Sequence, residues 1–431
     1  MKRGPQSNPS EAPDTSGSSD LRGAARLATE ATAGLTDLVE AMHERIARLP
    51  GFATPVELGR AGRTGRTTGI TGLVYRSIRG VTRVVGGSAD ALLSLLAPVL
   101  DSNADRPSAA AVPRPQRDAI VAALNGVMGD HLQASGNPLA IQMALRRNGR
   151  RLTLQRDALK AALPDASGSL LVMVHGLCMN DLQWSKDSQH QGSHATRLSQ
   201  ELGLTPLHLH YNTGLHVSDN GRNLSLLLEQ LLAEWPQPVQ RLTLLCHSMG
   251  GLVARSALAQ AQAAGLGWTA RLADLVFLGT PHHGAPLERA GNGLSIVLSD
   301  TPYFGSYTAP IGRLTKLRSA GITDLRHGHL LEADRAGDRF AKGPDARQPV
   351  PLPAQINCYA VAGHLGQDAT ASKARLLGDG LVPLDSALGR HADPARTLAF
   401  APDRTWVAQG VGHVGLLHRT EVTEQLLHWL R

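Results

Sequence analysis

The stretch from Leu242 to Ala259, LTLLCHSMGGLVARSALA, limits what this chain can fold into more than any other. The apolar run Leu242-Thr243-Leu244-Leu245-Cys246 fits a buried parallel strand, and Gly250 to Leu258 fits a helix packed back on it. Ser248 lies between them. A strand that reverses into a helix within three residues passes through strained φ/ψ, and only small neighbours let the two backbones come close. Gly250 and Gly251 supply that room. The turn lifts the serine hydroxyl clear of the sheet and aims the unpaired N–H groups of a helix N-terminus at whatever the hydroxyl attacks. This is the pattern of a nucleophile elbow. Cys246 stands where the first glycine of G-x-S-x-G would be, and as a small apolar side chain it is expected to preserve the turn.

The rest of the chain has the composition of a globular protein. Its 431 residues suffice for one large domain plus something smaller, and 42% are hydrophobic against 18% charged. No apolar run reaches the ~18 residues of a membrane helix. Aromatic residues are 3%, so the core must rest on Leu, Val and Ala. Residues 1–168 hold 21 Lys/Arg against 15 Asp/Glu, leaving 22 against 21 for the remainder, so the basic excess is N-terminal. Cys178, Cys246 and Cys358 stand far apart with no C-x-x-C spacing, which argues for reduced, buried thiols. The first twenty residues carry two positive charges but no apolar h-region, so no signal peptide is expected and the location reads as cytoplasmic, with attachment to a membrane surface left open.

Residues 1–20 are rich in Ser, Pro, Gly and Asp and are expected to be disordered. Residues 21–135 read as a helical N-terminal region, with helices over 21–49, 70–85, 89–100 and 116–132. In the second of these, Arg76, Arg79 and Arg83 share one face, while Ile70, Val74, Ile78, Val81 and Val85 occupy the other. A basic amphipathic helix can lie on anionic lipid, whereas the alternative is the solvated face of an ordinary bundle helix. Nucleic acid is not an expected partner, because no aromatic stacking residues accompany the arginines.

From 136 to 431 short apolar runs alternate with helical stretches. Ala140 to Ala144 and Leu152 to Leu154 read as a hairpin around Asn148-Gly149. Strands are expected over 170–174, 207–210, 242–246, 275–278, 356–361 and 404–408. Helices are expected at 194–202, at 222–235, after the elbow and at 419–430. Such alternation predicts an α/β fold, a doubly wound and mostly parallel sheet whose ligands collect at the carboxyl ends of its strands. The interval from about 285 to 350 breaks the alternation and reads as an inserted cap, with short helices at 311–320 and 322–332.

A serine nucleophile needs a base, a carboxylate to orient that base, and N–H donors for the oxyanion. Met249, directly after the serine, is one expected donor. Leu177 is the other, in the loop that ends the strand-like LLVMVHGLC run. His175 in that loop reads as a brace. The base should lie beyond the last strand, where His413 is flanked by glycines in VGHVG. His391 is the rival, and His247 is expected to point away from the hydroxyl. His282 and His283 belong to another loop. Asp379 in GDGLVP fits the acid, with Asp385 as its rival and an ordinary turn aspartate as the bland alternative for either.

HGL at 175–177, HSMGGL at the elbow, GTPHHGAP at 279–286, GDGLVP at 378–383 and the late His413 occur in one order. Together they resemble the lipase and esterase branch of the α/β-hydrolase superfamily, and are similar to bacterial true lipases and to enzymes related to GPI inositol deacylase. The resemblance covers roughly residues 165–431. It implies a sheet of about eight strands and hydrolysis of lipid or small acyl esters through an acyl-enzyme, with Ser248, Asp379 and His413 as the triad and no cofactor. Bacterial true lipases often place a calcium-binding Asp soon after the catalytic His. Here His413 is followed by Val-Gly-Leu-Leu, so no metal site is expected. An acyltransferase or thioesterase with the same triad remains open, as does a non-catalytic lipid-binding protein on the same fold, although the presence of all three triad residue types speaks against the last.

Overall fold

The computed structural model of the protein describes residues 114–185, 192–285, 319–335, 347–366 and 378–431. The segment 1–20 that reads as disordered, the helices expected before residue 101, including the basic one at 70–85, and most of the cap interval lie outside the described residues. The chain divides into two compact units, residues 1–113 with 137–139, and residues 114–136 with 140–431.

The second unit is centred on an eight-stranded sheet of order β2-β1-β4-β3-β5-β6-β7-β8. The strands are β1 (Ala144–Arg147), β2 (Arg150–Arg151), β3 (Ser169–Val174), β4 (Thr205–His210), β5 (Arg241–His247), β6 (Leu272–Leu278), β7 (Asn357–His364) and β8 (Thr405–Gln409). β1 pairs antiparallel with β2 and β4, and every other pairing is parallel. The expected hairpin is present, with Asn148 (φ 51°) and Gly149 (φ 75°) both left-handed as a tight hairpin turn requires. Its strands sit closer to the turn than 140–144 and 152–154, because the paired residues are Arg146, Arg147, Arg150 and Arg151. An apolar-run criterion passes over arginines on a half-exposed edge.

The helices are α1 (Arg114–Ala134), α2 (Arg156–Ala162), α3 (His194–Leu202), α4 (Val217–Glu234), α5 (Met249–Ala264), α6 (Ala320–His327), α7 (Leu384–Ala387) and α8 (Thr420–Leu430). Period-2 alternation sorts the strand residues between two helical layers. Leu171, Met173, Leu245, Val276, Leu278 and Val361 pack with Leu198 of α3 and Leu426, Leu427 and Leu430 of α8. The intervening residues, Leu170, Val172, Leu244 and Cys246, are equally buried on the other face, where α4 and α5 pack against each other. Each fully buried leucine contributes on the order of 2 kcal/mol of transfer free energy, and the doubly covered strands explain the unbroken apolar runs.

α1 departs from the boundary drawn at residue 135, since it forms part of the unit that holds the sheet. Ala119, Ala122, Ala123, Leu124 and Val127 are buried. The Asn125 side chain accepts the Ile141 N–H at 2.9 Å, and Asn212 donates to the Gly129 carbonyl at 2.9 Å. A composition change at 136 therefore does not mark the end of a packing unit. α6 is another correction. The expected break between Ala320 and Ile322 is absent, because Gly321 is a helical residue that lets α6 approach the backbone of Thr213, where a Cβ would meet the Thr213 carbonyl oxygen at 2.1 Å. The helix ends at Gly328, which is left-handed (φ 68°), rather than at 332.

The winding sense of the sheet changes between β3 and β5. β3 leads through α3 to β4 on one side, and α4 then crosses back to β5 on the other. A crevice at the carboxyl ends of strands forms at such a switch point.

Candidate active site

Ser248 directly follows β5 and immediately precedes α5. Its backbone lies at φ 54°, ψ −125°, a region sparsely populated by residues with a Cβ. The conformation is fixed from both sides. The Ser248 N–H donates to the Leu278 carbonyl at 2.9 Å, and the Gly251 N–H donates to the Ser248 carbonyl at 3.0 Å. The two glycines have the role expected of them. A Cβ on Gly250 would stand 2.5 Å from the Val174 carbonyl oxygen, and one on Gly251 would stand 2.0 Å from Thr280 Oγ1. Ser248 is 7% exposed.

The loop after β3 presses directly on this turn. A Cβ on Gly176 would lie 3.0 Å from Ser248 Cβ and 3.2 Å from His247 Nδ1. The next residues form a tight turn closed by the Met179 N–H on the Gly176 carbonyl at 3.3 Å, with Cys178 left-handed at φ 60°. Among the described residues, the Leu177 and Met249 amides have no hydrogen-bond acceptor. Two unpaired N–H donors thus flank the serine, one from the β3 loop and one from the first turn of α5, where the helix dipole adds positive potential.

The turn is braced by residues that sequence reasoning did not single out. Thr213 Oγ1 accepts the Cys178 N–H at 3.1 Å. The Tyr211 hydroxyl donates to the His175 carbonyl at 2.8 Å, and its ring stacks on His175 with centroids 4.5 Å apart. Burial pulls the His175 imidazole down to about 4, so His175 stays neutral as a brace. Behind the turn, a Cβ on Gly126 of α1 would meet Cys178 Sγ at 2.2 Å.

The loops after β7 and β8 bring in Asp379 and His413, which are 3% and 5% exposed. His413 Nδ1 lies 2.7 Å from Asp379 Oδ2. Asp379 Oδ1 accepts the Leu381 and Val382 N–H groups at 3.0 and 2.8 Å. Gly378 (φ 50°) and Gly380 (φ 96°) supply the left-handed turn around it. With Nδ1–H donated to the carboxylate, Nε2 keeps its lone pair and is the basic nitrogen.

The GTPHHGAP segment explains how the elbow and this pair come together. Leu278 accepts the Ser248 N–H, and the next residue, Gly279, has space for no side chain: its Cβ would stand 2.9 Å from Asp379 Oδ2 and 3.2 Å from His413 Nδ1. His247, beside the serine, turns its ring to His413, with centroids 4.6 Å apart and Nε2 donating to the His413 carbonyl at 3.0 Å. The rivals sit elsewhere. His391 packs on His283 with centroids 4.8 Å apart, and Asp385 lies on α7 with 43% of its side chain exposed. Cys246, where a glycine was expected, is a buried strand residue whose thiol is pushed well up by burial.

Residues 165–336 match the family model described as a PGAP1-like alpha/beta domain. The domain has the α/β-hydrolase fold. The matched segment includes Leu177, Ser248 and Met249 and ends before Asp379 and His413. No curated protein matches the chain in sequence. Among solved structures, the domain is similar to a lipase of Bacillus licheniformis in mature form, at 16% identity over 67% of this chain and 98% of that one (TM-score 0.39). It is also similar to an esterase of Pyrococcus furiosus, at 15% identity over 62% and 84% (TM-score 0.34). A phospholipase of Legionella pneumophila is similar at 14% identity over 61% and 59% (TM-score 0.37).

Proposed function

We propose that the protein is a serine hydrolase that cleaves carboxylic esters of lipid-like substrates through an acyl-enzyme. The observation that carries this reading is the strained backbone of Ser248 (φ 54°, ψ −125°), held between two loops although a glycine could occupy it without strain. Strain kept at one serine, beside unpaired amides and a buried His–Asp pair, is what nucleophilic catalysis requires. In this mechanism Ser248 Oγ attacks the ester carbonyl as His413 Nε2 takes its proton. The Leu177 and Met249 N–H groups hold the oxyanion, and His413 then protonates the leaving alcohol. Water, activated by the same nitrogen, releases the acid. Asp379 holds the ring in the required tautomer and stabilises the imidazolium.

Covalent labelling by a fluorophosphonate tests the reading. Modification of Ser248 in the folded wild type, lost in Ser248→Ala, is expected, and folded wild type that resists labelling refutes it. A series of p-nitrophenyl esters from acetate to palmitate, followed by phospholipids, then ranks substrates. The proposal extends to a cytoplasmic enzyme that meets its lipid at an anionic membrane through the segment 70–85, whose sequence reads as a basic amphipathic helix. Co-sedimentation with anionic vesicles, released by salt and weakened when Arg76, Arg79 and Arg83 are all changed to Gln, is the expected result. Equal sedimentation of mutant and wild type would remove that segment from the account.

A further inference from the structure

A second polar site lies along the elbow helix, lined by neither Ser248, Asp379 nor His413. Arg255 sits on α5 about two turns beyond Ser248, and it is 5% exposed. Among the described residues no carboxylate pairs with it. One guanidinium nitrogen donates to the Val350 carbonyl, another lies 3.4 Å from His282 Nδ1, and the buried Nε–H has no partner. A guanidinium taken out of water is normally compensated by a carboxylate. Here its contacts are a neutral carbonyl and a neutral ring, and burial together with the nearby Arg347 charge lowers it to about 10.

His282 is a second unsatisfied donor. Burial and the Arg255 charge hold its pKa well below the usual value, so the ring is neutral and carries one proton. Because Nδ1 faces an Arg255 N–H, that proton belongs on Nε2, which is buried and without a partner.

Both side chains line one cavity of about 50 Å³, together with His283, Arg347 and Arg396. A buried water needs roughly 10–15 Å³ measured this way, so the space holds a few oxygen-sized groups and excludes a sugar or an acyl chain. Asp334 also lines it, but its carboxylate is occupied by the Leu330, Leu331 and Gln348 amides at 2.9, 2.9 and 3.0 Å. Arg347 reaches across the wall to the Gly328 and His282 carbonyls at 3.0 and 3.3 Å. Positive charge, orphaned donors and a volume of a few oxygens are complementary to an acceptor-only group with several oxygens.

We propose that this cavity binds a phosphate-class oxyanion, either free or as the terminal phosphomonoester of a larger molecule, with Arg255 Nε and His282 Nε2 donating and Arg347 supplying charge. A ligand that binds the folded state alone raises its stability with concentration. The test is thermal unfolding of the full chain in inorganic phosphate against sodium chloride at equal ionic strength, with binding checked by calorimetry. The melting temperature should rise with phosphate and not with chloride. His282→Asn and the partly exposed Arg347→Gln should each weaken phosphate affinity about tenfold or more, and Arg347→Gln should leave short-chain ester hydrolysis unchanged. Competition by glycerol phosphate marks a soluble phosphomonoester as the source, and competition by phosphatidate vesicles alone marks a lipid headgroup. The absence of a phosphate-specific rise, or an equal rise in wild type and both variants, overturns the proposal. The readout is binding, so it stands or falls apart from ester hydrolysis.

Discussion

His413 and Asp379 are joined twice: Nδ1 lies 2.7 Å from Asp379 Oδ2, and the His413 main-chain N–H donates to the Asp379 carbonyl at 3.0 Å. The main-chain bond locks the β7 and β8 loops to each other, and the side-chain bond then selects the ring orientation. Removing the carboxylate therefore changes tautomer and charge while the loops keep a tie of their own.

Under the proposed mechanism, Asp379→Asn should reduce kcat by roughly 10⁴-fold, somewhat less than His413→Ala, which should match Ser248→Ala because members of a triad act as one unit. Asp379→Ala should in addition cost about 1–3 kcal/mol of stability, since it orphans the buried Val382 amide and its Leu381 neighbour. Steady-state kinetics and denaturant unfolding check both. Inactivity of His391→Ala with an active His413→Ala would reassign the base.

Ser248→Ala and Ser248→Gly separate chemistry from strain. Both should abolish ester hydrolysis. Alanine keeps the positive-φ cost, whereas glycine relieves it, so the glycine variant should be more stable by about 1 kcal/mol. A glycine variant that melts below the alanine one would show that the backbone at 248 is unstrained.

Gly126→Ala tests whether α1 positions the β3 loop. Its methyl group would overlap Cys178 Sγ, and overpacking of this kind costs about 1–3 kcal/mol. The turn carrying the Leu177 amide adjoins Ser248, since a Cβ on Gly176 would lie 3.0 Å from Ser248 Cβ, so a shift of that turn moves the amide relative to the serine. A loss of kcat on the order of tenfold to a hundredfold, with KM little changed, is expected. Unaltered kcat in a folded variant would detach α1 from the site.

Stability should fall in mild acid. Burial lowers His175 and His194 to about 4 in the folded protein, against an ordinary value of 6.5. Between those values the unfolded chain binds more protons, so stability rises with pH across the window. The contribution is complete above about 6.5 and is lost as pH falls toward 4, roughly 3 kcal/mol for each ring. His194 Nε2 donates to the Leu416 carbonyl at 3.0 Å and Nδ1 accepts from Thr423 at 2.7 Å. Urea unfolding at pH 7 and pH 5 should therefore show a smaller difference in His194→Gln than in wild type, and an equal difference would exclude this ring as a cause.

The sequence by itself determined the parallel core and its turning point. Strands buried on both faces must read as apolar runs, and an elbow must carry small residues after its serine, so β3, β5, Ser248, Gly250 and Gly251 were legible from local chemistry alone. Asp379 and His413 stood out from Asp385 and His391 as polar residues in glycine turns after late strands, but local chemistry alone left the choice open. That choice rests on residues 34 positions apart meeting at 2.7 Å, a relation set by the pairing of β7 with β8. Tertiary structure likewise decided what Gly126, Gly279 and Gly321 are for. A glycine's sequence neighbours do not reveal which backbone or side chain comes within van der Waals distance across the fold. The same limit hid the Arg255 cavity: in sequence Arg255 is one more arginine on a helix, and only packing shows that no carboxylate among the described residues meets it.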